Sequence, residues 1–241
     1  MPEKAPLLKV SRQPSGEPEI FQSIQGEGVS AGTPTVFLRL ATCNLACTWC
    51  DTRYTWDWRS FDYSAEVMEM TLDMLESRVL AFRKSRLVIT GGEPLLQQTA
   101  LAPLVSSLND QGFYCEVETN GTITPSLEMM EGISQWNVSP KLENSGNRAR
   151  VREVPSVLSV FGRLKTAYFK FVISAPSDVD EAAAIVTKYG LAQERITLMP
   201  EGVTAETLNE RGVWVAEACV ERGFNFSPRL QILFWGNERG R

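Results

Sequence analysis

With 241 residues and 43% hydrophobic content, the chain carries enough apolar material to fill one α/β core without disulfide staples. Its formal net charge of −5 leaves no general basic face, which argues against an extended nucleic-acid interface and favours a small-molecule partner. No apolar run reaches the ~20 residues a bilayer demands, and no charged-then-apolar leader opens the chain, so a cytoplasmic protein without membrane contact is expected, in a reducing compartment that keeps its five cysteines free.

In chain order, residues 1–18 scatter Pro2, Pro6, Pro14 and Pro18 among polar residues and read as a flexible N-terminal arm, leaving 19–241 as a single domain. Residues 20–28 are apolar at first and end in Gly26-Glu27-Gly28, either a plain hairpin turn or a place where backbone approaches a ligand closely. A strand over 35–41 follows, then a cysteine-rich loop. Residues 64–84 have helical periodicity, with Ser64 as N-cap and Lys84 at the end. Strands are expected over 86–90, 113–118, 135–139, 167–173 and 195–198, with helices over 95–111, near 179–189 and over 204–222. Strands alternating with helices imply right-handed βαβ units and a parallel sheet of about six strands, short of the eight of a closed barrel.

The loop places Cys43, Cys47 and Cys50 at the spacing C-x3-C-x2-C. Thiolates this close converge on a soft metal centre, and a chain with no histidine cannot complete the zinc sets that mix Cys with His. An iron–sulfur cluster is the natural occupant. Three cysteines on a [4Fe-4S] cluster leave one iron open to chelate a small molecule. The same spacing also fits one face of an amphipathic helix, but the flanking strand and the loop formers Asn44, Asp51 and Thr52 oppose that reading. Cys115 and Cys219 read as core thiols.

This loop resembles the signature of the radical S-adenosylmethionine (SAM) enzymes, and Thr90-Gly91-Gly92-Glu93-Pro94 is similar to their second motif. Together with Gln25-Gly26-Glu27-Gly28, Phe37-Leu38-Arg39, Cys50-Asp51-Thr52, Glu118-Thr119-Asn120-Gly121 and Ser139-Pro140-Lys141, the pattern resembles the 7-carboxy-7-deazaguanine synthase family over roughly residues 19–202. The resemblance implies an α/β partial TIM-like barrel, roughly (β/α)6, with ligand groups at the C-terminal ends of its strands. It implies the conversion of 6-carboxy-5,6,7,8-tetrahydropterin to 7-carboxy-7-deazaguanine with loss of ammonia, in queuosine and 7-deazapurine biosynthesis. The [4Fe-4S] cluster on Cys43, Cys47 and Cys50, SAM and Mg2+ are the implied cofactors.

Carried over residue by residue, the resemblance places Ile24, Gln25, Gly26, Arg39 and Thr90 on the substrate. Trp49, Asp51, Gly92, Glu118, Ser139, Pro140, Lys141, Met199 and Pro200 fall on the SAM side, and Thr52 on Mg2+. An amide such as Gln25 can read the edge of a pterin in plane, and Arg39 offers a carboxylate a bidentate fork. Trp49 either faces the adenine or packs in the core, and Glu118 either bonds the SAM ribose or caps its turn. A homodimer and an electron donor of the flavodoxin or ferredoxin class are further family expectations. Two segments depart from the pattern: residues 142–166 match no motif, and the stretch 229–235 has Gln231 where relatives often carry a His.

Two other classes compete. An activating enzyme that installs a glycyl radical on a partner protein would not need Gln25 and Arg39 together. A plain iron–sulfur electron carrier should supply a fourth cluster cysteine.

Overall fold

The computed structural model describes residues 6–241, and among these, ten strands join in one sheet. They are β1 (Leu7–Ser11), β2 (Ile20–Ile24), β3 (Pro34–Leu40), β4 (Val67–Thr71), β5 (Arg86–Gly91), β6 (Tyr114–Thr119), β7 (Gln135–Val138), β8 (Ala167–Ile173), β9 (Ile196–Pro200) and β10 (Asn225–Phe226). Strands β3, β5, β6, β7, β8 and β9 run parallel in that spatial order, and the short β10 adds a seventh at one edge. At the other edge β2 pairs antiparallel with β3, and β1 joins β3 to β4. The two edges stay apart in the sheet order, so this is the expected partial barrel of six βα-type strands. The helices are α1 (Tyr63–Glu66), α2 (Leu72–Leu80), α3 (Gln98–Asp110), α4 (Leu127–Gly132), α5 (Ala149–Arg152), α6 (Pro155–Arg163), α7 (Pro176–Tyr189), α8 (Ala205–Arg222) and α9 (Leu230–Trp235).

Alternation along the strands sorts two environments. Leu38, Ile89, Val117, Trp136, Phe169, Phe171 and Leu198 face outward, and with Leu104 and Leu108 of α3 and Phe161 of α6 they form the main core. Their neighbours Arg39, Thr90, Glu116, Glu118, Asn137 and Lys170 face the barrel interior, where Phe21, Phe37 and Val88 form a small apolar cluster of buried residues, with the two Phe rings stacked at 5.1 Å. The N-terminal end of the barrel is plugged by a buried polar network. Glu116 accepts from Ser30 (3.2 Å) and Asn137 (2.9 Å) and pairs with Arg86. The interior is therefore closed below and polar above, and it opens where β5, β6, β7 and β9 end.

Two expectations are corrected. The segment 64–84 is not one helix: Val67–Thr71 is a strand between α1 and α2. Its partner is β1, in the register Leu7↔Thr71 to Ser11↔Val67, so the segment 1–18 is not a free arm over its described part, with Leu8 and Val10 fully buried. Strand pairing across some 60 residues overrode the local helical period, and the caps moved accordingly. The Asp62 carboxylate accepts from Ser64 N at 2.9 Å, and Thr71 Oγ1 accepts from Met74 N at 3.4 Å. Pro2 and the rest of residues 1–5 lie outside the described residues. The segment 142–166 contains α6, which starts on Pro155 and buries Val157, Leu158 and Phe161; the Phe161 ring meets Trp136 edge-on at 5.3 Å.

Candidate active site

The cysteine loop leaves β3 through Thr42, which adopts a left-handed backbone (φ 75°), strain of the kind that collects at functional sites. The parallel register Arg39↔Thr90 and Leu40↔Gly91 sets the Gly91-Gly92-Glu93 turn directly beside it. Gly92 N donates to Leu40 O (3.0 Å) and Glu93 N to Thr42 O (2.8 Å). The contact is so close that a Cβ on Gly92 would stand 1.8 Å from Thr42 O, so only glycine fits. Glu93 itself is fully buried and accepts from Leu95 N (3.0 Å), Thr119 Oγ1 (2.8 Å) and Asn120 N (2.7 Å). It ties the β5 turn to the β6 turn and is a positioning residue, and burial pushes its carboxyl above the usual range.

Cys43, Cys47 and Cys50 are free thiols on the wall of a single cavity, whereas Cys115 and Cys219 are buried in the core. Burial pushes the Cys43 thiol up to about 12 and raises Cys47 as well, so iron must displace protons as it binds. Among the described residues, no three His, Cys, Asp or Glu side chains stand close enough to hold a single ion. Three thiols spaced more widely around one cavity fit a cluster that distributes its ligands over several irons.

The cavity measures about 290 Å³, near the lower end for small-molecule sites. Every residue assigned to a ligand from the sequence lines it except Pro140 and Pro200, which are buried behind it. On one wall Glu118 accepts from Gln25 Nε2 (3.1 Å) and Thr90 Oγ1 (2.7 Å), so it joins the two residues expected to read the substrate edge. Arg39 Nε donates to the fully buried Glu19 (2.8 Å), which also takes Tyr54 OH (2.9 Å) and Arg239 Nε (3.2 Å). Among the described residues, neither Nη of Arg39 has a protein acceptor. Burial opposes its charge, but Tyr54 and Glu19 hold the guanidinium above its ordinary pKa. On the other wall Lys141 Nζ donates to Ser139 Oγ (2.8 Å) and sits 5.5 Å from the centre of the Trp49 ring. Trp49 thus borders the cavity and is not a core residue. Thr52 Oγ1 is 3.6 Å from Cys50 Sγ, and Met199 closes the wall at the end of β9.

The structure adds residues that the sequence reading missed. Lys170 of β8 and Arg229 both pair with Glu27 of the Gly-Glu-Gly turn, and Gln231 Nε2 donates to the same carboxylate at 2.6 Å. Burial opposes ionisation of Glu27, yet Lys170 and Arg229 together hold it well below the usual carboxylate range. The three guanidinium nitrogens of Arg229 reach three different mouth loops: Nε to Glu27 (2.9 Å), Nη1 to Gly202 O (2.6 Å) and Nη2 to Asp51. The Arg239 guanidinium lies 3.5 Å from the Tyr54 ring centre and pairs with Glu66 at 2.8 Å, and residues 236–241 line the cavity, so the C-terminal end does cover the mouth. A lone Lys inside the apolar strand Ala167–Ile173 was the available signal for Lys170, whereas Arg229 and Glu19 carried none.

The chain matches the model of the 4Fe-4S single cluster domain over residues 24–139. It is 39% identical to the 7-carboxy-7-deazaguanine synthase of Pyrobaculum aerophilum, an alignment covering 92% of this chain and 96% of that protein. The enzyme of the same name from Hyperthermus butylicus is 37% identical, with 89% and 90% covered. Among solved structures, QueE from Escherichia coli shares the fold with a TM-score of 0.66 at 24% identity, covering 92% of this chain and 93% of that one.

Proposed function

The chain belongs to the 7-carboxy-7-deazaguanine synthase family, and on that premise we propose how its own residues divide the work of the site. The activity is that of a radical SAM lyase acting on 6-carboxy-5,6,7,8-tetrahydropterin to give 7-carboxy-7-deazaguanine and ammonia, in 7-deazapurine (queuosine) biosynthesis. When bound on Cys43, Cys47 and Cys50, the cluster supplies the electron that cleaves SAM, so that a hydrogen atom can be taken from the substrate and returned.

Arg39 holds the substrate carboxylate with its two free Nη groups, while Glu19 fixes its direction. Gln25, Thr90 and the carboxylate of Glu118 meet the donors and acceptors of the pterin edge, with Ile24 and Gly26 beside them. The Glu118 carboxylate already accepts from Gln25 and Thr90, which supports placing it on the substrate side. Lys141, Ser139, Trp49, Gly92 and Met199 face SAM, with Pro140 and Pro200 setting the backbone behind them. Asp51 braces the cluster loop through Arg229. Thr52 offers its hydroxyl to Mg2+, which keeps most of its ligands as water and substrate oxygen. The electron comes from a small flavodoxin- or ferredoxin-class protein and the chain works as a homodimer, both on the strength of the family alone; a cytoplasmic setting follows from the composition and the free cysteines. No helix of the described residues is long and apolar enough to cross a membrane.

The observation that carries this reading is that the three thiols and Arg39 open on one cavity of small-molecule size. A glycyl-radical activase must admit a protein segment, and a carrier needs a fourth thiol at the cluster, whereas Cys115 and Cys219 are 0% and 3% exposed in the core. The test is anaerobic incubation of the reconstituted protein with the tetrahydropterin carboxylate, SAM and a reductant, read by mass spectrometry. Product with many turnovers per SAM is expected. Cluster-dependent SAM cleavage without any deazaguanine product would refute the substrate assignment.

A further inference from the structure

The segment without a motif, 142–166, holds the outer side of the cysteine loop. Thr48 N donates to Ser145 O (3.0 Å), Thr48 Oγ1 to Asn144 O (3.3 Å) and Trp49 Nε1 to Asn144 Oδ1 (3.2 Å). Asn147 completes the clasp: its Oδ1 accepts from Ala46 N (3.0 Å) and its Nδ2 donates to Cys47 Sγ (3.2 Å). The Ala46 bond fixes the amide orientation, because only the oxygen can accept a backbone N–H, and this leaves the NH2 on sulfur. Gly146 makes the turn possible: its φ is +74°, and a Cβ there would come 2.7 Å from Thr48 Cγ2. Across the loop, Trp56 Nε1 donates to Cys50 Sγ at 3.3 Å, and an indole nitrogen can act only as a donor. Cys43, by contrast, receives its backbone donor Leu45 N at 3.5 Å, with Asn120 Nδ2 at 4.0 Å.

Resting on the assignment of the three thiols to a cluster, we propose that Asn147 and Trp56 set that cluster's reduction potential through their N–H bonds to sulfur. Adding an electron increases the negative charge shared over the sulfurs, so a donor aimed at a sulfur stabilises the reduced form more than the oxidised one, and hydrogen bonds to sulfur are a known lever on such potentials. Low exposure strengthens the effect, and Cys47 is 8% exposed. Asn147 and Trp56 are therefore positioning residues that make the cluster easier to reduce.

The experiment is a redox titration followed by EPR on anaerobically reconstituted protein, with iron and sulfide assayed in every sample. Asn147→Ala and Trp56→Phe should each lower the midpoint by at least a threefold shift in the reduction equilibrium, about 28 mV at 59 mV per decade for one electron. Asn147→Asp should lower it further, and the two neutral variants should add, since they act on different sulfurs. Pulsed EPR in D2O should show one fewer exchangeable deuteron coupled to the reduced cluster in each. A midpoint unmoved at full iron content overturns the proposal. So does iron loss in both Trp56→Phe and Asn147→Gln, which would make these residues mere scaffold. Failure of the wild-type chain to take up iron would refute the cluster assignment itself and is read separately.

Discussion

Truncating Arg39 tests the substrate wall most directly. The Arg39 side chain is 17% exposed and spends one guanidinium nitrogen on Glu19, whose side chain is 0% exposed, so Arg39→Ala removes a structural pair and a substrate contact together. Glu19 keeps Tyr54 OH at 2.9 Å and Arg239 Nε at 3.2 Å. The structural loss should therefore sit at the lower end for a broken buried pair, about 3 kcal/mol. For a chain of this length that is a fall in Tm of roughly 6–12 °C. The fork itself makes charge-assisted bonds worth about 1.5–3 kcal/mol, so kcat/KM for the carboxylated pterin should drop roughly 10- to 150-fold. Arg39→Lys should recover only part, because an ammonium keeps the charge and loses the planar fork. Glu19→Gln leaves Arg39 in place but weakens its anchor, and should raise KM more than it lowers kcat. Anaerobic initial rates, with SAM binding and iron content measured in parallel, separate these effects. A kcat/KM within twofold of wild type in folded, cluster-loaded Arg39→Ala would show that the arginine only supports Glu19, and the carboxylate would then be held elsewhere.

Gly92→Ala should cut iron retention sharply, since its Cβ would meet the Thr42 backbone at 1.8 Å and no side-chain movement can relieve that; normal iron content would show that the loop is more plastic than its hydrogen bonds suggest. Cys115→Ala with Cys219→Ala should leave iron content and the SAM-induced change in the reduced cluster's EPR signal intact, and loss of either would mean a fourth protein ligand. Glu27 has a lowered carboxyl, so its stabilising contribution is fully present above its ordinary value of 4.5 and is lost as pH falls towards the depressed one. Lys170 is shifted up, burial opposing and Glu27 favouring its charge, so its share is fully present below 10.5 and fades as pH rises. Glu27→Gln should therefore cost most near neutral pH, and in chemical denaturation its deficit against wild type should shrink below about pH 4.5; a pH-independent deficit would mean that shape and not charge holds the turn.

The chemistry of this protein was legible because its carriers are short and local. Three thiols at C-x3-C-x2-C, the Gly91-Gly92 pair before Glu93, and an arginine four residues before the first cysteine are all recognisable from neighbours in sequence. Strands alternating with helices likewise imply a parallel sheet of about six strands, whereas its curling into a partial barrel was legible only through the family resemblance. What the sequence could not reveal is decided by long-range partners. Val67–Thr71 has helical periodicity and becomes a strand only because β1 lies beside it. Glu19, Arg229, Lys170 and Asn147 are ordinary polar residues until folding removes water from them. Burial then makes each charge or amide find a partner from another loop, as Arg229 does with Glu27, Gly202 and Asp51. The identity of the reacting groups was thus a property of the chain. The tertiary structure supplied their orientation, because a buried polar group is aimed by whatever distant residue satisfies it.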